Sequence, residues 1–256
     1  WRGDTATSNA RVGKPGLVAQ DTEAHALRVY DGETPGGVVI PGNKVELPTV
    51  PGPTELQAGD DTVGFYGEVS TDDLIDGEAL ASEVGLSAGV AFNTTAPWLK
   101  MSYNGRVLMV GTRAYRHSLS WSSLYHAGIV YGTDDVGVSP IDGGVLQDTQ
   151  LVITGHTYRV RLLKMFDNDP VSNEPMGGDL TAVFGSLLNT WQIYALSELN
   201  EGGANTGNAC WVQETPESSP NGRYLTSSGQ FDDSAVKSID YQLNYSGWRP
   251  VLELIA

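Results

Sequence analysis

One cysteine, few basic residues and no long apolar run mark this chain, and each shortage removes a class of protein. Cys210 stands alone among 256 residues. It cannot close an intrachain disulfide or build a multi-cysteine zinc site, so burial and assembly must hold the fold. Lys and Arg number 15 against 31 Asp and Glu, a formal charge of −16 whose field repels nucleic acid and anionic membrane surfaces. No nucleic-acid partner is expected. No apolar stretch reaches the ~20 residues of a membrane-spanning helix, and Trp1-Arg2-Gly3-Asp4 does not resemble a secretion signal. A soluble, unprocessed chain without membrane insertion is therefore expected. Charged residues make up 18% of the chain, while Gly numbers 31 and Pro 13, the balance of a turn-rich β protein.

Gly and Pro punctuate the first ~60 residues, at Pro15-Gly16, Pro35-Gly36-Gly37, Pro41-Gly42 and Pro51-Gly52-Pro53, which excludes a long helix there. Short β-like runs lie between the breaks: Leu27-Arg28-Val29-Tyr30, Val38-Val39-Ile40 and Val45-Glu46-Leu47, with Asp31-Gly32 as a turn signal. So few short strands bury little surface in one copy, and packing against other copies is expected.

Three pieces of this segment carry a resemblance: Arg2-Gly3-Asp4-Thr5-Ala6, Gly16-Leu17-Val18-Ala19-Gln20-Asp21-Thr22, and Leu27 to Gly37 with its Asp31-Gly32-Glu33-Thr34-Pro35-Gly36-Gly37 turn. Together they resemble the N-terminal module of phage tail fibres and of the phage major tropism determinant. Trp1 stands where that family often has Arg, and Leu17-Val18 replaces its usual Glu-Leu. The resemblance implies a β-prism-like module, intertwined in a homotrimer.

Further on, Asp72 to Gly85 suggests one or two short helices ended by Gly85. Asn104-Gly105, between Trp98–Tyr103 and Arg106–Val110, is the strongest hairpin signal in the chain. Ser120 is placed to cap a short helix stopped by Gly128, a second hairpin is expected around Thr154-Gly155-His156, and Asp179 is placed to cap a helix carrying Leu180, Val183, Phe184, Leu187 and Leu188. The chain then returns to β at Cys210–Gln213, Arg223–Thr226 and Trp248–Leu254. Helices set between hairpins indicate an α+β, β-rich fold.

That order of elements, closing on Gly247-Trp248-Arg249-Pro250-Val251-Leu252, resembles C-type-lectin-like domains of phage tropism determinants and of the formylglycine-generating enzyme family. With Trp98-Leu99-Lys100, His117 to Trp121 and Tyr158 to Leu163, it also resembles C-terminal domains of phage virion proteins, over about residues 64 to 256. Three segments are expected: a β-rich trimerisation or attachment module over 1–45, a linker with short helices over 46–97, and the lectin-like domain over 98–256.

Signals for chemistry are weak. Glycan hydrolysis needs two carboxylates across a cleft; Glu198, Glu201, Glu214, Asp232 and Asp233 are available, but any chain this acidic offers such pairs. His25, His117, His126 and His156 sit in unrelated contexts, and no Gly-x-Ser-x-Gly elbow accompanies them. Cys210 alone argues against the copper chemistry of the formylglycine-generating family. Asp167-Asn168-Asp169 and Asp232-Asp233 lack a calcium-loop spacing. No enzyme activity, cofactor or metal is expected. Rigid aromatics among small polar residues suit recognition, which makes Tyr224, Phe231, Tyr241 and Tyr245 the candidate binding loops, with Trp191, Trp211 and Trp248 as core.

The expected function is that of a structural bacteriophage protein on the virion surface: a trimeric fibre, tail-tip or head-decoration component that contacts other virion proteins and recognises a host cell-surface glycan or protein. A purely architectural role in cementing capsid or tail subunits is the alternative, and a fibre-borne glycan hydrolase stands behind both.

Overall fold

In the computed structural model the described residues are 2–3, 18–21, 26–29, 33, 38–40, 50–60, 62–172, 176–200, 207–226, 231 and 233–255. The chain divides into two compact units, Trp1–Glu46 and Leu47–Ala256.

The first unit holds a four-stranded sheet of β1 (Arg2–Gly3), β2 (Val18–Asp21), β3 (Ala26–Val29) and β4 (Val38–Ile40), in that order. β1 runs parallel to β2, and the other pairs are antiparallel. The expected run at 45–47 and the Asp31-Gly32 turn lie outside the described residues.

The second unit is built on a seven-stranded antiparallel sheet. Its strands in chain order are β5 (Ala58–Gly59), β6 (Val63–Val69), β8 (Trp98–Tyr103), β9 (Arg106–Gly111), β11 (Gln150–Ile153), β12 (His156–Arg161) and β17 (Val251–Leu254). Across the sheet the order is β11-β12-β17-β9-β8-β6-β5, which places the C-terminal strand near the centre. A second sheet has the order β13 (Ala209–Cys210), β16 (Ser246–Trp248), β10 (Arg116–His117), β7 (Val90–Ala91), and β14 (Gly222–Thr226) pairs with β15 (Ser234–Ser238). The helices are short: α1 (Gly77–Glu83), α2 (Trp121–His126), α3 (Asp179–Gly185), continued by a π turn over Ser186–Thr190, and α4 (Leu196–Leu199). The architecture is α+β and β-rich.

Strand alternation gives the large sheet two buried faces. On the first, Trp98, Val107, Met109, Tyr158, Val160 and Leu252 join Leu80 of α1 and Trp121, Leu124 and Tyr125 of α2 in one core. On the second, Phe65, Leu99, Met101, Leu108, Val110 and Val251 join Leu180, Val183 and Phe184 of α3 in another. The hairpin at Asn104-Gly105 forms as expected, with φ of 49° and 75° at the two turn residues, the left-handed geometry such a tight turn requires. Ser120 caps α2 by accepting from the Ser123 N–H at 3.2 Å, and Asp76 caps α1 through the N–H groups of Glu78 and Ala79.

Two expectations need correction. The stretch 46–97 is no linker: β6 pairs with β8 from Val63 to Val69, and Val50, Val69, Leu74, Leu80 and Leu86 belong to the first-face core. Gly64, Gly67 and a bulge between Phe65 and Gly67 interrupt the apolar alternation and hide this strand from pattern reading. Asp179 does not cap α3. Gly178 is the cap residue, and Asp179, the first helical residue, spends its carboxylate on the Lys164 N–H and on Arg161.

Candidate functional site

The second face of the sheet changes character toward one end. Along β9 it runs from Val110 and Leu108 to Arg106, along β17 from Val251 to Glu253, along β8 from Leu99 and Met101 to Tyr103, and β12 contributes Arg159 and Arg161 to the same face. Where the apolar residues stop, a pocket of about 310 Å³ opens, closed on its other sides by Tyr131 to Thr133, by Lys164, Phe166 and Asp167, and by the start of α3. Its size is at the small end for ligand sites.

Charge organises its floor. Arg161, almost fully buried, donates from Nε to Glu253 Oε2 at 2.7 Å and pairs through Nη2 with Asp179 Oδ2 at 2.7 Å. Glu253 Oε1 accepts from Nη1 of Arg106 at 2.9 Å. Burial alone would raise the Glu253 pKa, but Arg161 and then Arg106 outweigh it and hold the carboxyl below its ordinary value. Burial likewise opposes the charge on Arg161, and Asp179 and Glu253 more than restore it. Both oxygens of Glu253 and both of Asp179 are engaged, and the depressed Glu253 pKa keeps that carboxyl from serving as a proton donor.

The rim has capacity to spare. The Arg106 side chain is 50% exposed and uses one Nη on Glu253. Lys164 is exposed, and its ammonium makes no ion pair among the described residues. Arg159 is tied to Asp148 at 2.8 Å. The half-buried Tyr103 supplies aromatic surface, Phe166 lines the pocket from the core side, and Asn104, Thr133 and Asp167 supply exposed polar groups. Burial first, then Asp179 and Asp167, raises the Tyr103 pKa, so its hydroxyl stays a neutral donor.

The four candidate loop aromatics do not form one site. Phe231 is 4% exposed and stacks on Phe184 at 4.1 Å between ring centroids, with the Arg249 guanidinium 5.1 Å from its ring, and it also lines a second pocket of about 350 Å³ with Leu188, Tyr194 and Leu196. Tyr224 is half-buried in β14 against Phe166 and belongs with the second-face core. Tyr241 and Tyr245 contact each other through their hydroxyls and pack on the first-face core. Trp211 and Trp248 are buried, whereas Trp191 is partly exposed.

The expected acids are also dispersed. Glu198 closes the first turn of α4 by accepting from the Ala195 N–H, Asp233 is exposed, and Glu201 and Asp232 lie outside the described residues. Glu214 is buried; burial foremost, and then the nearby Asp169 and Asp179, push its pKa up to about 8. Its Oε1 has no hydrogen-bond partner among the described residues, and none of the described pockets has Glu214 in its lining. Cys210 is buried, with the Arg249 Nε–H directed at its sulfur at 3.4 Å. Among the histidines, His126 pairs with Asp142 on the surface, His117 meets the Phe92 ring edge-on, and His25 lies outside the described residues. Among the described residues no group of three or more His, Cys, Asp or Glu is placed to hold a metal ion, and no helix is long and apolar enough to cross a membrane.

No protein-family model matches the chain, and no curated protein matches it. Among solved structures, the Major Tropism Determinant U1 variant aligns over 100% of this chain and 99% of its own, at 12% identity and a TM-score of 0.18. A score that low carries no argument about fold or function, which rest on the chain's own residues.

Proposed function

We propose that the chain is a non-enzymatic bacteriophage virion protein whose larger unit recognises a host-surface saccharide in the pocket between Tyr103, Arg106, Lys164 and Phe166. One observation carries the recognition role: a rigid, ion-paired floor beneath a rim of unspent cationic donors and aromatic surface. Binding sites favour that combination of few placed polar groups on a preformed framework. The Glu253 carboxyl, held below its ordinary pKa by Arg161 and Arg106, favours binding over hydrolysis, which needs one carboxyl able to give up a proton.

The phage setting is supported by the Asp31-Gly32-Glu33-Thr34-Pro35-Gly36-Gly37 turn and by the Gly247 to Leu252 ending. A C-type-lectin-like character for the larger unit, a trimeric prism for the smaller one and a place on the virion surface belong to the same reading. Weak contacts at each pocket would then sum across three copies.

An array of bacterial surface saccharides probed with the full chain tests this proposal. Hits that weaken about tenfold in Arg106→Ala are expected; hits unchanged by that substitution would place recognition elsewhere. A second reading, cementing of capsid or tail subunits, is favoured by Val152, which is 74% exposed on β11, one of the two outermost strands of the large sheet. Uncovered sheet edges are prone to pair with a neighbour. Loss of incorporation into particles by Val152→Lys, with saccharide binding intact, would support it.

A further inference from the structure

Resting on the pocket as the recognition site, we infer that its ligand is a sugar bearing a single carboxylate, a uronic or nonulosonic acid, with the carboxylate held by Arg106 and Lys164. The inference starts from charge. The chain as a whole carries −16, yet the pocket is lined by Arg106, Arg159, Arg161 and Lys164 against Asp167, Asp179 and Glu253, four cations to three anions.

The floor neutralises itself. Arg161 and Arg106 face Asp179 and Glu253, and Arg159 has its own partner in Asp148. What remains at the rim is the ammonium of Lys164 and the unspent edge of the half-exposed Arg106 guanidinium. A carboxylate matches that guanidinium edge in a two-bonded fork, with the ammonium as a point charge beside it. A second negative group on the ligand would meet the exposed carboxylate of Asp167 and the field of the remaining acids, so polyanions are disfavoured.

The rest of the pocket calls for a ring. A free carboxylate would leave most of the roughly 310 Å³ volume and the half-buried Tyr103 ring unused. A pyranose presents one apolar C–H face to an aromatic side chain and hydroxyls at its edge, and Asn104 and Asp167 offer an amide and an acceptor for those hydroxyls.

Titration of the full chain by ligand-observed NMR separates the possibilities, with methyl glucuronide, the methyl glycoside of N-acetylneuraminate and methyl glucoside as probes. At least one acidic probe is expected to bind about tenfold more tightly than the neutral one. Lys164→Gln and Arg106→Gln are each expected to erase that preference while neutral-sugar binding persists. Lys164 has no ion pair to lose among the described residues, so its variant keeps the fold, verified by an unchanged circular-dichroism spectrum. Equal binding of acidic and neutral probes, or a preference that survives both substitutions, overturns the acidic-sugar assignment and leaves the pocket standing. Absence of binding by all three probes, with adsorption to host cells unaffected by either variant, overturns both.

Discussion

Arg161 on β12 and Glu253 on β17 meet through a 2.7 Å hydrogen bond between Nε and Oε2 on a face of the sheet that both share with an apolar core. They are diagonal neighbours, since Arg161 stands opposite Val251 and Glu253 opposite Arg159, a spacing that long side chains bridge. Asp179 completes the coordination of Arg161 from α3. One buried cation therefore ties two strands to the helix that roofs the pocket.

Removing one partner of that network should be costly. Glu253→Gln leaves Arg161 only its Asp179 partner and releases Arg106, and a loss of up to about 3 kcal/mol is expected in urea unfolding. The sign of the pH dependence follows from the depressed Glu253 pKa. Its contribution is present above the unfolded carboxyl value and is lost as pH falls through the lower folded value. A loss below about 1 kcal/mol for Glu253→Gln would mean that the network does not hold the roof.

Glu214 should act in the opposite sense. Its folded pKa of about 8 lies above the ordinary 4.5, so its contribution is full below the unfolded value and is lost as pH rises through the folded one. Glu214→Gln keeps an acceptor for the Met165 N–H, which Oε2 now takes at 3.2 Å, and cannot ionise. Its stability advantage over the parent should grow between pH 5 and pH 8, approaching about 5 kcal/mol at most. Urea unfolding across that range checks it; a pH-independent difference would exclude an ionisable, buried Glu214.

Phe231→Ala should cost about 3–5 kcal/mol through loss of its stack on Phe184. Saccharide binding at the pocket should survive once the protein is folded, since Phe231 does not line it. A variant of unchanged stability with lost binding would return Phe231 to a recognition surface.

Truncation should be sensitive to where the cut falls. The second unit begins at Leu47, and Val50 is buried in its core, with a carbonyl that accepts from the buried Lys100 Nζ at 3.2 Å. A chain of residues 47–256 is expected to fold as a monomer, while the full chain has a trimeric mass by light scattering. Residues 61–256 should be less stable, because Lys100 loses its acceptor and β5 is removed. Equal stability of the two truncations would contradict this account of Val50, and a monomeric full chain would contradict the trimer.

Local signals were legible in the sequence wherever one residue type suffices. Asn104-Gly105 and Thr154-Gly155 mark their hairpins because both turns need positive φ, and Ser120 and Gly128 bracket α2. The pocket was not legible, because its residues come from five distant stretches that only the register of the large sheet brings together. A trace of it existed: Arg159 and Arg161 alternate with Tyr158 and Val160, and Glu253 interrupts the apolar Val251-Leu252 run. Charges at core-facing positions of a strand announce a buried network. Phe231 was legible only in part: its Gly and Ser neighbours suggest a loop, and the ring stacks on Phe184 while lining a second pocket with Leu188 and Tyr194.

The most direct test of the recognition pocket is adsorption of the full-length protein to host-cell envelopes, parent against Lys164→Glu. Lys164 is exposed and makes no ion pair among the described residues, so the unfolding midpoint should not move. Affinity should fall by about tenfold or more, because the reversed charge repels the ligand's carboxylate at close range. Adsorption equal to that of the parent would contradict recognition through this pocket.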